Sequence, residues 1–223
     1  MLRRINISIR IAMVLVVILS LFNFFLNLNW FAVPAPFFAA FNLVLVVTLT
    51  FLPEIFRRMQ FELSNGLYYL IMFSVLVSFV GGMGFKLYQI LTFYDTIIHF
   101  FNGGVIAVVG FALLRSQFDN WYDNLGLIAI GAILIAISVG AVWEIYEFVA
   151  DILLDGNMQR YKDIFKPNDP PFSGQEALMD TMIDLIVDTV GGIVGSIILY
   201  RSAIKKGTLS NLFVINHLEK ETK

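Results

Sequence analysis

The residue types in this chain that could do chemistry gather in three short clusters: Asp95-Thr-Ile-Ile-His99, then Glu144-Ile-Tyr-Glu147 with Asp151 one turn on, and Asp180-Thr-Met-Ile-Asp184-Leu-Ile-Val-Asp188. On a helix, positions three, four, seven and eight apart share a face. Each cluster therefore reads as one polar stripe: Asp95, His99 and Asn102; Glu144, Glu147 and Asp151; Asp180, Asp184 and Asp188. Each stripe lies on a segment otherwise suited to lipid or to protein interior. A charged side chain at the bilayer centre costs ~2.5 kcal/mol or more, so these groups must face one another, water or a cation. Seven carboxylates and one imidazole cannot answer each other if every acid is ionised, and a bound cation is the simplest compensation. With no cysteine in the chain, a metal would be held by oxygen and imidazole. That donor set suits Mg, Mn, Fe or Zn, and less distinctively Ca. The spacing assigns Asp95, His99, Glu144, Asp184 and Asp188 as metal ligands and Glu147 as the catalytic general base.

Plainer readings stand beside these. Asp95 follows Thr92 and precedes an apolar run, which also fits a helix N-cap. Asp180 fits a first-turn acid that complements the helix dipole. His99 also fits a satisfied interior histidine, and Asp151 a solvated helix end. Asp184, Asp188 and Glu144 lie too far inside their segments for capping. The Gly103-Gly104 and Gly191-Gly192 pairs, and the Gly191 to Gly195 spacing, read as devices for close helix packing and match no nucleotide motif. His217 sits in a polar tail, where a solvated helix is expected. No HExxH and no nucleophile-elbow serine occurs.

Composition sets the elements that must position these groups. Of 223 residues, 58% are hydrophobic and 14% charged, well below the roughly 25% charged of soluble domains. With a mean hydropathy of +0.80 the chain is an integral membrane protein. A net charge of −2 and scattered basic residues exclude nucleic acid as a partner. The 22 phenylalanines fit lipid contact and bundle filling. The expected fold is all-α: a single polytopic transmembrane bundle over 1–223. It has about six spans, near 9–28, 37–52, 67–89, 95–115, 125–153 and 180–200. The first run exceeds a signal-peptide core and is followed by prolines, so it reads as an uncleaved span. Trp30 fits an interfacial aromatic, and Pro34, Pro36 and Pro53 bound the second span. The 154–179 stretch, rich in Pro, Gly and Asn, is an outer loop of the length that serves as a lid. A basic tail over 201–223 closes the chain.

With six spans, eleven of the fifteen Lys and Arg residues fall on the side of the N-terminus, which puts both termini in the cytoplasm. All the intramembrane charges then lie in the outer half. Counting from the helix ends at ~1.5 Å per residue pairs Glu144 with Asp188 roughly 12 Å below the outer boundary. Glu147, Asp184 and His99 are expected in a layer above them.

The motifs Tyr94-Asp95-x-x-x-His99-Phe, Trp143-Glu144-x-x-Glu147-Phe and Asp184-x-x-x-Asp188-x-x-Gly191-Gly192 resemble the YjdF-like bacterial inner-membrane proteins. The resemblance covers roughly residues 95–199. It implies a membrane-spanning fold and a shared site in the inner membrane, and it implies no particular reaction.

Two classes of function fit the residues. One is a metal-dependent hydrolase that opens outward and acts on an ester or phosphoester of a lipid or envelope substrate, with the long loop over its entrance. The other is a cation- or proton-coupled transporter, which needs polar groups continuing into the inner half. Such groups are scarce there, Asn23, Asn27, Asn29 and Asn42 being the main ones. A membrane assembly or regulatory protein with a structural metal is a third reading. Membrane lipids and a lipid-like or small-molecule substrate are the expected partners.

Overall fold

In the computed structural model, the described residues are 44–84, 87–154, 156–166 and 168–218, with scattered positions between Ile7 and Leu26. Most of the expected span over 9–28, the start of that over 37–52, Trp30, Pro34, Pro36, Lys86 and the end of the tail lie outside them. The chain forms two compact units, one of residues 1–90 with 212–223 and the other of residues 91–211.

In the first unit, a helical stretch over 44–49 breaks before Pro53, which sits in the first turn of α1, Leu52–Arg58. Proline has no N–H to continue the ladder. The Thr50 carbonyl at the break accepts hydrogen bonds from Arg10 Nε (3.2 Å), Arg10 Nη2 (3.1 Å) and the Tyr68 hydroxyl (3.2 Å). Arg10 also pairs with Glu54. Partial burial pushes the Glu54 carboxyl upward, but the hydrogen bond and charge of Arg10 outweigh it and hold the group below its ordinary value.

Strand β1, Phe61–Leu63, follows a reversal at Gln60, whose φ is +66°. Helix α2, Asn65–Val75, is N-capped by Ser64, whose hydroxyl oxygen accepts from Leu67 N at 3.3 Å. The helix widens into π-helix over Leu76–Gly84, and α3, Leu87–Ile90, follows. Near the C-terminus, β2, Ile215–His217, pairs antiparallel with β1 in the register Phe61↔His217, Glu62↔Asn216, Leu63↔Ile215. Alternation buries Leu63 and Ile215 and leaves Glu62 and Asn216 outside. Ser64 fastens the ribbon: its hydroxyl donates to Leu212 O at 2.8 Å and accepts from Val214 N at 3.1 Å. The tail therefore departs from expectation. His217 is in a strand, its ring 4.4 Å from that of Phe61, rather than in a solvated helix.

The second unit is built on three long helices: α4, Tyr94–Arg115, α5, Leu125–Leu154, and α6, Met179–Ile204. Each lies in a helical segment long and apolar enough to cross a membrane, and each occupies the stretch the sequence assigns to a span. Their burial is inverted relative to a soluble bundle. Helix α5 exposes Leu127, Ile130, Leu134, Val142, Ile145 and Ile152, while Glu144, Glu147 and Asp151 face inward.

Glycines set how the helices meet. A methyl on Gly103 would collide with the Asp188 carbonyl, and one on Gly191 with the Phe100 carbonyl. On Gly195 it would come within 2.5 Å of Gly104 O. These contacts run α4 and α6 parallel, backbone to backbone. Helix α5 runs antiparallel to both: a methyl on Gly140 would lie 3.2 Å from Asp188 Cβ, and one on Gly192 2.8 Å from Ala136 Cβ, while Ser196 Oγ donates to Ala129 O at 2.7 Å. At the far end Arg115 donates to the Ser210 carbonyl, and its guanidinium carbon lies 4.1 Å from the Trp121 ring centroid.

Candidate metal centre

The parallel pair α4 and α6 places the start of both helices at one end of the bundle, and the antiparallel α5 brings its C-terminal turns to the same end. The three polar stripes therefore meet. Asp95 stands in the first turn of α4 rather than at its cap: the cap position is Phe93, and no side chain caps it. Released from that role, Asp95 turns Oδ1 to His99 Nε2, 3.7 Å away, and Oδ2 to Arg160.

His99, 7% exposed, is the hinge of the site. Its Nδ1 lies 3.2 Å from Asp188 Oδ2, and its Nε2 lies 3.7 Å from Asp95 Oδ1 and 3.8 Å from Asp184 Oδ2. With an ionised carboxylate as partner, which has no proton to give, Nδ1 is the donor of this contact. In the neutral ring Nε2 then carries its lone pair towards the space between Asp95 and Asp184. One donor atom from each of Asp95, His99 and Asp184 falls within 4.8 Å of the others. Donors around an ion held at ~2.1 Å stand roughly 3–4 Å apart, so the three fit a cation with little adjustment.

Glu144 and Asp184 are 4% and 2% exposed; Asp184 Oδ2 has no hydrogen-bond partner among the described residues, and the Glu144 carboxylate meets the nearby Thr181 hydroxyl at no closer than the margin of hydrogen-bond geometry. Buried carboxylate oxygens left in this state are costly, and a cation is the group that satisfies several at once. Glu144 lies one helical turn from Gly140, and Asp184 one turn from Asp188, in the same direction along the bundle. Since Gly140 abuts Asp188, Glu144 is level with Asp184, not with Asp188 as counting from the helix ends implies. Close glycine contact, rather than a shared membrane boundary, fixes the register.

The remaining acids are engaged. Asp188, 3% exposed, is committed to His99 Nδ1 and wedged by Gly140. Glu147 Oε1 accepts from Trp143 Nε1 at 2.8 Å, one turn back on its own helix. Asp151 is 5% exposed rather than a solvated helix end. Its carboxylate takes Met158 N at 2.8 Å and Gln159 N at 3.0 Å, which turns the 156–162 segment back over the bundle. Asp180 stands in the first turn of α6, with Arg160 Nε 3.9 Å from Oδ1. Asn102, expected on the α4 stripe, is half-buried.

Sequence reasoning missed Arg160. A loop arginine shows no helical spacing to tie it to the acids. It reaches them through backbone at φ +45° and the two amides held by Asp151.

The comparisons with known proteins bear on the whole chain. A protein of Thermotoga maritima described as uncharacterized is 30% identical over 128 residues, which is 57% of this chain and 58% of that protein. The chain thus spans just over half the length of that relative. No solved structure matches. Residues 5–205 match the family described as "Predicted membrane protein (DUF2238)". That agrees with the resemblance carried by the three motifs to a membrane family without an assigned activity. Its apolar helices make the protein a multi-pass membrane protein, and with the family match running over nearly its full length, the chain belongs to the DUF2238 family of membrane proteins.

Proposed function

We propose that the α4–α5–α6 bundle holds a divalent cation on Asp95, His99 and Asp184, with Glu144 as the fourth ligand and Asp188 as the group that orients His99. The observation that carries this reading is the placement of the two histidine nitrogens among three carboxylates. A carboxylate on Nδ1 with Nε2 aimed between two other carboxylates is the arrangement that metal-binding histidines use, where the outer carboxylate fixes the tautomer and raises the basicity of the inner nitrogen. Asp188 thus moves from ligand to orienting residue. An oxygen-rich set with one imidazole favours Mg, Mn, Fe or Zn.

The reading extends to metal-dependent hydrolysis of an ester or phosphoester in a lipid-like or envelope substrate. When bound, such a cation supplies a water acidic enough to lose its proton near neutral pH and a Lewis acid for the ester oxygen. Glu147 is the general base. Trp143 fixes one of its oxygens, and the other can take the proton. The 156–166 loop excludes bulk water. Hydrolysis is favoured over cation- or proton-coupled transport because, among the described residues, the polar stripe of the three helices ends at Asp188, beyond which they meet through Gly192, Ala136 and Gly195. Six spans with both termini cytoplasmic, the topology that the Lys and Arg distribution supports, turn the site outward.

The test is metal content after purification in mild detergent without chelator. One equivalent is expected in the wild type, with loss in Asp184→Asn. In Asp188→Asn the ion should be retained with affinity lower by about 10–100-fold, the usual cost of removing such a partner. Wild-type protein that binds none of the four metals, on direct titration as well, would overturn the reading. Stoichiometric metal then leads to assays on phospholipid and ester substrates.

A further inference from the structure

Resting on the metal-site reading, we infer that Arg160 is a tethered counter-cation, which holds the 156–162 loop over the carboxylates and yields Asp95 when a divalent ion binds. The loop is fastened to all three helices. Asp151 of α5 accepts the amides of Met158 and Gln159. The Gln159 side chain donates to Thr181 Oγ1 of α6 at 2.8 Å. Arg160 itself donates to Thr92 O at 3.2 Å and lies 3.4 Å from Asp95 Oδ2 and 3.9 Å from Asp180 Oδ1. Those last two contacts are longer than the 2.7–2.9 Å of a tight charge-assisted hydrogen bond, so the arginine neutralises the acids without locking either.

The position of Asp95 makes the arrangement a switch. Its two oxygens point opposite ways, Oδ1 to His99 Nε2 in the candidate site and Oδ2 to the guanidinium. A cation on Oδ1 withdraws charge from the same carboxylate that Arg160 leans on, and it repels the guanidinium directly. Asp180 remains for Arg160 to fall back on. Among the groups facing Arg160 are the Thr92 carbonyl just before α4, Asp95 in α4 and Asp180 in α6. Binding is reciprocal: whatever the ion does to the loop contact, that contact does to the affinity of the ion. Competition between two positive charges therefore predicts a sign that a purely supporting role would reverse. If Arg160 merely oriented Asp95 as a ligand, its removal would weaken metal binding. As a competing cation, its removal strengthens it.

The experiment uses the full chain in detergent. Mn²⁺ affinity is measured by titration for wild type, Arg160→Gln and Arg160→Lys, and amide exchange over 156–162 is followed in wild type with and without saturating Mn²⁺. Expected are about tenfold tighter binding in Arg160→Gln, near-wild-type binding in Arg160→Lys, and faster exchange of the loop amides when Mn²⁺ is bound. Weaker or unchanged binding in Arg160→Gln, or unchanged or slower loop exchange in Mn²⁺-saturated wild type, overturns the competition while leaving the metal site standing. The exchange measurement needs no variant, so a misfolded Arg160→Gln does not spare the proposal. Absence of any Mn²⁺ binding in wild type and in both variants overturns the switch, and it overturns the site as well when Mg²⁺, Fe²⁺ and Zn²⁺ also fail to bind.

Discussion

The two ends of the α4–α5–α6 bundle are built on opposite terms. At the Asp95 end, seven carboxylates crowd one imidazole and one guanidinium, and buried oxygens of Asp180 and Asp184 have no hydrogen-bond partner among the described residues. A turn or two further along, the same helices meet through Gly103, Gly191, Gly192 and Gly195 at distances that admit no side chain. Within a bilayer the hydrophobic effect does not bring helices together, because lipid is as apolar as leucine. Close backbone packing is what remains. The acidic end cannot assemble itself, since like charges in a low dielectric repel. The glycine end supplies the dispersion energy and the register, and these hold the acidic groups together at the other end.

Removing the glycine contact should thus undo both ends at once, and this is the largest effect we expect. In Gly191→Ala, the methyl meets the Phe100 carbonyl, with Gly104 N at 3.2 Å, and neither is the tip of a flexible side chain that can swing aside. The helices must separate. Thermal unfolding in detergent should show a loss of about 3 kcal/mol or more, at the upper end of overpacking penalties, together with loss of bound metal. Gly104→Ala is the control, because there the nearest atom is Gly191 O at 3.3 Å and a few tenths of an ångström suffice. Equal stabilities for the two variants would mean that the glycines do not set the register.

Gly140→Ala probes the seam between the ends. Its methyl would lie 2.6 Å from Asp188 Oδ2, the far end of a side chain that can rotate away, and 3.2 Å from Asp188 Cβ, where a few tenths of an ångström suffice, so the fold persists. Rotation costs His99 its Nδ1 partner. The expected result is a stability loss of roughly 1 kcal/mol with a fall in metal affinity of about 10–100-fold, similar to Asp188→Asn. Affinity unchanged in Gly140→Ala but lowered in Asp188→Asn would show that the acid can move and still serve the histidine. The comparison between the two ends would then lose its connecting link.

What could be read from the sequence follows the same division. The three helices and their polar stripes show in plain i, i+4 spacing, because a helix forms its backbone bonds within one segment and its periodicity is local. The glycine pairs signal packing for the same reason. The level of Glu144 against Asp184 is not local. It depends on where Gly140 lands on Asp188, and counting from the helix ends errs by one turn. Arg160 and the burial of Asp151 are less visible still, since both depend on a loop whose course is set by two side chain to amide hydrogen bonds. The β1–β2 ribbon joins residues some 150 positions apart, and three-residue strands carry too short an alternation to stand out.

Ser196 allows the smallest and most discriminating test. It is 1% exposed, and its hydroxyl donates across the interface from α6 to Ala129 O of α5 at 2.7 Å, the interhelical side-chain hydrogen bond that sits within the glycine end. If close backbone approach holds that end together, this bond is an accessory. Ser196→Ala should then cost only about 0.6 kcal/mol, the average for such bonds within membranes, because a carbonyl inside a helix keeps its own ladder partner. It should leave metal affinity within about twofold of wild type, since the proposed ligand Asp184 lies about three turns away and shares no partner with Ser196. A loss approaching that of Gly191→Ala would reverse the assignment. The glycines would then be small because a hydrogen bond requires the helices close, and the polar chemistry of the bundle would extend past Asp188 into the glycine end.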